Sequence, residues 1–314
     1  DITDMVFQLD EPLADPAPLN VFYISRLAHE QGIKVLLSGA GGDDLFTGYR
    51  RHHALMVEKL WKCLPQPLLV GLEHLTQRVN HRQPLLRRLS KLFSGASLKG
   101  DERLVNYFRW INRRDLMKLY TPAFRSELGK SRAEDPMLDY LEQIPFHTDR
   151  IERLLALEKR FFLADHNLTY TDKMSMAAGV EVRVPFLDLD LVDFAAKIPS
   201  DFKQNAFQSK WVLKKAMEPY LPNDVIYRPK SGFGAPLRQW LRVELRDWLA
   251  DILSKKRLED RGIFDSIAVQ RLISANSEGI TDASYTLFSL ACIELWCQQF
   301  IDNNSTPFSI PLNS

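Results

Sequence analysis

The sequence has little of what usually announces a function at sight. Its three cysteines, Cys63, Cys292 and Cys297, are too few and too unevenly placed for a disulfide framework, and no Cys-x-x-Cys pair with histidine partners points to zinc. Neither a stapled secreted domain nor a zinc module fits, and the expected compartment is the reducing cytoplasm. Charge of one sign is missing too: 41 Lys and Arg face 40 Asp and Glu. No excess calls for a nucleic-acid or membrane partner, so any anion site must be local. Apolar runs such as "YTLFSLACIELW" (Tyr285 to Trp296) stop short of the roughly 18 to 20 residues that span a bilayer. No signal peptide is expected, and the sequence shows no internal repeat or low-complexity tract.

What the chain does have is apolar material in periodic order. At 45% hydrophobic and 26% charged, it can bury one good core or two. "MVFQLDEP" and "IKVLLS" read as short buried strands, with "PLNVFYISRLAHEQG" between them spaced as a helix, which makes one βαβ unit. A lone parallel pair is not a self-sufficient sheet, so further strands are expected upstream. From Asp44 onward the patterns are mostly helical. The fold class expected is α/β, a parallel-sheet remnant over residues 1–50, continuing into a mostly α-helical region over 51–314. The basic cluster Arg87, Arg88 and Lys91 sits among leucines at helical spacing and reads as a solvated face.

Three stretches break the bland pattern. "KVLLSGAGGDDLFTGYRRHH" (Lys34 to His53) runs from an apolar segment into a glycine-rich turn with two carboxylates, Asp43 and Asp44. It could be a phosphate loop, a metal-binding turn or a plain strand end. "YTDKMSMAAGVEVRVPFLDLDLVDFAAKIP" (Tyr170 to Pro199) packs Asp172, Lys173, Glu181, Arg183 and Asp188 among small and apolar residues, where ionisable groups must be paired if buried. "YRPKSGFGAPLRQWL" (Tyr227 to Leu241) sets Lys230 in a non-helical loop between helices, able to reach over a site.

Taken in order, these three stretches resemble the synthetase half of the glutamine-dependent asparagine synthetase family. "SGAGGDD" is similar to that family's Ser-Gly-x-Gly-x-Asp-Glu turn. "DKMSMAAGVEVRVPFLD" is similar to its Asp-Arg-x-Ser-Met-Ala segment followed by Glu-x-Arg-Val-Pro-Phe-Leu-Asp, with Lys173 where Arg is usual. "YRPKSGF" resembles its Arg-x-Lys-x-x-Phe loop. The resemblance implies an adenine nucleotide alpha hydrolase-like sheet, ATP and Mg²⁺ as cofactors, adenylation of a substrate carboxylate, and amide formation by ammonia from an N-terminal glutaminase domain. It also implies a homodimer through the glutaminase half. Neither that domain nor the family's Ser-Gly-Gly-x-Asp-Ser pyrophosphate loop is found here, so the chain by itself is expected to be inactive.

On the same resemblance, Lys230 matches a lysine that stabilises the adenylation and amidation transition states, and Asp43 a magnesium-chelating aspartate. Asp44 stands where the family has Glu, as a further metal ligand, a group behind the ligands or a helix cap. Gly39, Gly41 and Gly42 let the backbone pass close to a nucleotide, with Ser38 on the adenosine side. Asp172 and Lys173 read equally as a phosphate-side pair or a structural ion pair. Glu181 and Arg183, two apart on an extended segment, face the same way and either orient a substrate carboxylate or bridge each other. Lys210 matches a family lysine without an assigned role, and His52 and His53 read as surface residues. Ala40 departs from the pattern: relatives carry Glu or Asp there. Aspartate is the family's default acceptor, and a sugar uronic acid is the alternative that this departure raises. A non-catalytic module that keeps the fold is the rival from another class.

Overall fold

The structure, a computed structural model, describes residues 1–61, 63–77, 84–206, 208–229 and 232–302. It is mostly helical with a small parallel sheet. The chain divides into two compact units, one of Asp1–Ile24, Trp110–Gly129 and the residues from Gly234 onward, the other of Ser25–Arg109 and Lys130–Phe233. The boundary expected at residue 50 falls inside the second unit, at the first residue of a helix.

In the first unit, the segment expected as a leading strand is a helix, α1 (Ile2–Leu9), with Met5, Val6 and Leu9 buried. Short apolar runs carry too little periodicity to separate the two states, and here tertiary packing decides. α1 lies against the helix Ser284–Cys297, whose Trp296 indole donates to the Asp10 carbonyl at 2.8 Å, and Phe7 stacks on Phe300 in the stretch that follows it, with centroids 6.0 Å apart. Ser284–Cys297 is buried on most of its circumference, as a helix with apolar residues on all sides must be, and Cys292 and Cys297 are packing residues within it. Leu119 and Thr121 tie the segment 110–129 to this core through backbone bonds with Asp265 (2.7 Å) and Ile263 (3.0 Å).

The second unit holds the sheet. β1 (Val35–Leu37) pairs in parallel with β2 (Glu181–Arg183), in the register Val35 to Glu181 and Leu37 to Arg183. The expected βαβ unit is therefore corrected: the partner of β1 comes from far downstream, a pairing that local sequence does not encode. α2 (Ala17–Glu30) does lead into β1, as its spacing indicates. Leu55, Leu104, Leu141, Ile151, Leu154, Leu155 and Leu157 form the main core of this unit. Out of that core runs the helix Arg150–Leu157, followed directly by a π-helical stretch, Glu158–Leu168, and then by Thr169–Ala177. Such a wide register re-aims side chains and is common at functional sites.

Candidate active site

The glycine-rich turn follows β1. Ser38 extends the parallel pairing by one bond, its N–H donating to the Arg183 carbonyl at 2.8 Å, and its hydroxyl accepts the Ala40 N–H at 3.2 Å. Gly39 is exposed. Gly41 has φ +89°, and a Cβ there would come within 2.4 Å of Leu187 Cδ2. The conformation favours glycine, and a Cβ there would also force Leu187 aside. The chain then enters α3 (Gly42–Phe46), anchored by Leu45 and Phe46 against Phe186, Leu191, Val192, Ala195 and Val212.

α3 carries the two aspartates to different environments. Asp43 stays partly open, and its Oδ1 lies 2.5 Å from Lys210 Nζ. Lys210 adopts the left-handed conformation, φ 55° and ψ 34°, immediately before the helix Trp211–Met217, and its N–H donates to Phe46 O at 3.1 Å and Thr47 Oγ1 at 3.3 Å. Thr47 is itself at φ 64°, ψ 135° and fully buried. A β-branched residue held there costs on the order of 1–3 kcal/mol. Gly48 closes over the pair: an added Cβ would fall 1.8 Å from Asp43 Oδ1 and 2.9 Å from Lys210 Cε. Backbone, carboxylate and ammonium are thus packed against one another with no room for a side chain.

Asp44 turns inward and is 1% exposed. Burial pushes its carboxyl up to about 7; the charge of Glu158 adds to this, and the Tyr49 hydrogen bond opposes it. The Tyr49 hydroxyl donates to it at 3.2 Å and accepts from Asn167 Nδ2 at 3.2 Å. Burial also pushes the Tyr49 phenol up, Asp44 adding its charge. Below lies Glu158, fully buried in the first turn of the π-helical stretch, bonded to His52 Nε2 at 2.8 Å and to Arg51 Nε. The Arg51 guanidinium sits over the rings of Tyr49, Phe108 and Phe162 at 4.2, 4.6 and 4.3 Å. His52 is therefore not the surface residue its sequence surroundings indicate. It is fully buried because both ring nitrogens find partners inside. His53 is half-buried.

The remaining candidates lie elsewhere in this unit. Glu181 and Arg183 bond each other at 2.8 Å on an exposed strand face shared with Val35 and Leu37. Arg183 holds the Glu181 carboxyl below its usual range. Asp172, exposed, and Lys173, half-buried, are consecutive on Thr169–Ala177, so their side chains leave that helix in directions about 100° apart. Lys230 lies outside the described residues; Tyr227 and Pro229 before it and Gly232 to Pro236 after it are non-helical.

Sequence reasoning left Lys210 without a role and missed Tyr49, Arg51 and Glu158. Glu158 did leave a signal: in "RLLALEKRFF" it follows Leu154 at helical spacing, a charge on the apolar stripe.

Among the described residues no group of three or more His, Cys, Asp or Glu could hold a metal ion. Magnesium does not require one. It commonly takes one or two carboxylates and completes its shell with water and substrate phosphates, and the partly open Asp43 carboxylate fits that donor set.

The chain matches the asparagine synthase family over residues 1–298. A Mycobacterium tuberculosis protein named as a glutamine-hydrolyzing asparagine synthetase is 30% identical over 307 residues, 98% of this chain and 45% of that protein. Asparagine synthetase 1 of Bacillus subtilis, also named glutamine-hydrolyzing, is 28% identical over 98% of this chain and 47% of its own length. Amidase chyE of Penicillium rubens is 23% identical over 86% of this chain and 42% of its own. The chain thus spans just under half the length of the curated relatives it matches. With a family match covering nearly every residue of both units, the chain belongs to the asparagine synthase family.

Proposed function

We propose that this chain is the synthetase part of an ATP-dependent amidotransferase that adenylates a substrate carboxylate and amidates it with ammonia. The observation that carries this reading is the convergence of Asp43 and Lys210 behind a glycine turn at the end of a parallel strand, the place where open α/β sheets bind their ligands. The sheet is read as the end of an adenine nucleotide alpha hydrolase-like nucleotide site. Asp43 would hold Mg²⁺, which when bound would supply positive charge against the nucleotide phosphates.

The chain's own groups divide the work. Gly41 and Gly42 bring backbone close to the nucleotide, with Ser38 beside it. Lys210 Nζ, 2.5 Å from the Asp43 carboxylate, supplies positive charge where pyrophosphate leaves as the carboxylate oxygen bonds to the α-phosphorus. Lys230 is assigned to the same developing charge and to the amidation step, in which ammonia bonds to the acyl carbon, gives up a proton and displaces AMP. Fixed cations in a water-poor site contribute several kcal/mol to such steps. Asp44 sits behind Asp43, its orientation set by Tyr49. Asp172 and Lys173 are assigned to the phosphate side, and Glu181 and Arg183 to orienting the substrate carboxylate. A glutaminase domain in the full reading frame would supply the ammonia.

A different acceptor from aspartate is favoured by Ala40, whose methyl stands where the family resemblance expects a carboxylate, and by the amidase name of a relative. A sugar uronic acid is the candidate. The test is product analysis with ¹⁵N-amide-labelled glutamine and ATP, using the protein in its full reading frame against a panel of aspartate and uronic acids. Label in a uronamide supports the changed acceptor, and label in asparagine refutes it. ATP hydrolysis without any labelled amide overturns the amidotransferase reading.

A further inference from the structure

Between α3 and α4 (Arg50–Trp61), the turn Thr47-Gly48-Tyr49 adopts a backbone path that ordinary residues resist, and it needs something to hold it. One side is tied by Thr47, whose hydroxyl donates to the Lys203 carbonyl at 2.9 Å and accepts the Lys210 N–H at 3.3 Å. The other side is held by one imidazole. His52 Nδ1 accepts the Gly48 N–H at 2.8 Å and the Tyr49 N–H at 3.1 Å. A nitrogen that accepts two N–H bonds carries no proton, so in the neutral ring the proton resides on Nε2, 2.8 Å from Glu158 Oε2. The second Glu158 oxygen is engaged by Arg51.

Ring and carboxylate are both fully buried. Apolar side chains of similar volume often fill such a space at no loss of stability, but they could not accept two backbone N–H groups. The turn is also where the candidate site is packed: Gly48 abuts the Asp43 carboxylate and the Lys210 side chain.

We propose that His52 is a positioning residue, whose unprotonated Nδ1 clamps the 47–49 turn and so holds the Asp43 carboxylate and the Lys210 ammonium in register for adenylation. The proposal rests on the reading of that pair as phosphate-facing. A displacement of about 1 Å in such a constellation can cost about 10²-fold in rate.

His52→Asn and His52→Gln separate a clamp from a filler. Asn places an amide oxygen close to the position of Nδ1, where it can accept from the turn. Gln reaches toward Glu158 but leaves the two N–H groups without their acceptor. In the protein in its full reading frame, the readouts are amide hydrogen exchange of peptides covering residues 47–49, kcat and KM for ATP–pyrophosphate exchange, and Tm. The expected result is that His52→Asn keeps the turn protected and kcat within about fivefold. His52→Gln should expose the turn and lose about 10²-fold in kcat with KM for ATP little changed. Glu158→Gln, which keeps an acceptor for Nε2, should leave turn protection intact. Wild-type protection and kcat in His52→Gln would overturn the proposal, as would losses in both His52 variants that merely follow Tm, or a loss of kcat in Glu158→Gln with the turn still protected. If the unsubstituted protein shows no exchange with any acid, the phosphate-facing reading fails instead, while the protection data still judge the clamp.

Discussion

The Lys210 ammonium lies 2.5 Å from the Asp43 carboxylate, and the two residues reach this contact from segments that each break ordinary backbone preference. Lys210 sits at φ 55°, and the α3 segment that carries Asp43 ends at Thr47 with φ 64°. Such strain persists only where the surrounding structure over-determines it, and it clusters at ligand-binding and active sites. Lys210→Ala is accordingly expected to lower the turnover of ATP–pyrophosphate exchange by about 10²-fold, leaving glutamine hydrolysis by the full reading frame unchanged. An unchanged exchange rate would make Lys210 a structural partner only.

Gly48→Ala tests the packing directly. The new methyl would meet Asp43 Oδ1 at 1.8 Å, and because that oxygen ends a flexible side chain, the carboxylate swings away from Lys210 instead of the fold failing. The expected outcome is a modest destabilisation of about 1–3 kcal/mol, the usual cost of overpacking, with a disproportionate loss of exchange activity. Thermal melting and exchange kinetics on one preparation check the pair of effects.

The buried Asp44 gives a pH dependence with a definite sign. Its carboxyl is raised from an ordinary 3.8 to about 7 in the folded chain, burial being the largest cause. The folded state therefore binds the proton more tightly. The contribution is fully present below about pH 4 and is lost as pH rises through about 7. Its upper bound is on the order of 4 kcal/mol. In chelated buffer, Asp44→Asn should flatten the fall in Tm between pH 4 and 7 relative to the unsubstituted protein. Parallel profiles would show that Asp44 is charged in the folded state.

Glu58 offers a stability test away from the candidate site. Burial works against its charge, but Tyr107 at 2.5 Å, Arg150 at 2.9 Å and Arg103 at 3.0 Å more than compensate and hold the carboxyl below its usual range. Arg103 is 2% exposed. Glu58→Ala strands that guanidinium in the core and should cost about 3–5 kcal/mol, read as a drop in Tm without a change in KM for ATP.

The turn and the extended Glu181–Arg183 segment were legible because each rests on local rules: glycine at positive φ and two-residue alternation. α1 was misread as a strand because a short apolar run fits both periods, and packing on the helix Ser284–Cys297 settles it. The pairing of β1 with β2, the descent of His52 onto Glu158 and the arrival of Lys210 at Asp43 are contacts of high sequence separation. Nothing in a local window specifies them. Glu158 on an apolar stripe was the one trace they left.

That Asp43 and Lys210 face nucleotide phosphates is tested most directly by ATP–pyrophosphate exchange in the protein in its full reading frame, with Mg²⁺ and a panel of carboxylic acids. Exchange that depends on one of the acids and falls by at least about 10²-fold in Asp43→Asn is the predicted result. Exchange at the unsubstituted rate in Asp43→Asn, or none with any acid in the unsubstituted protein, would contradict it.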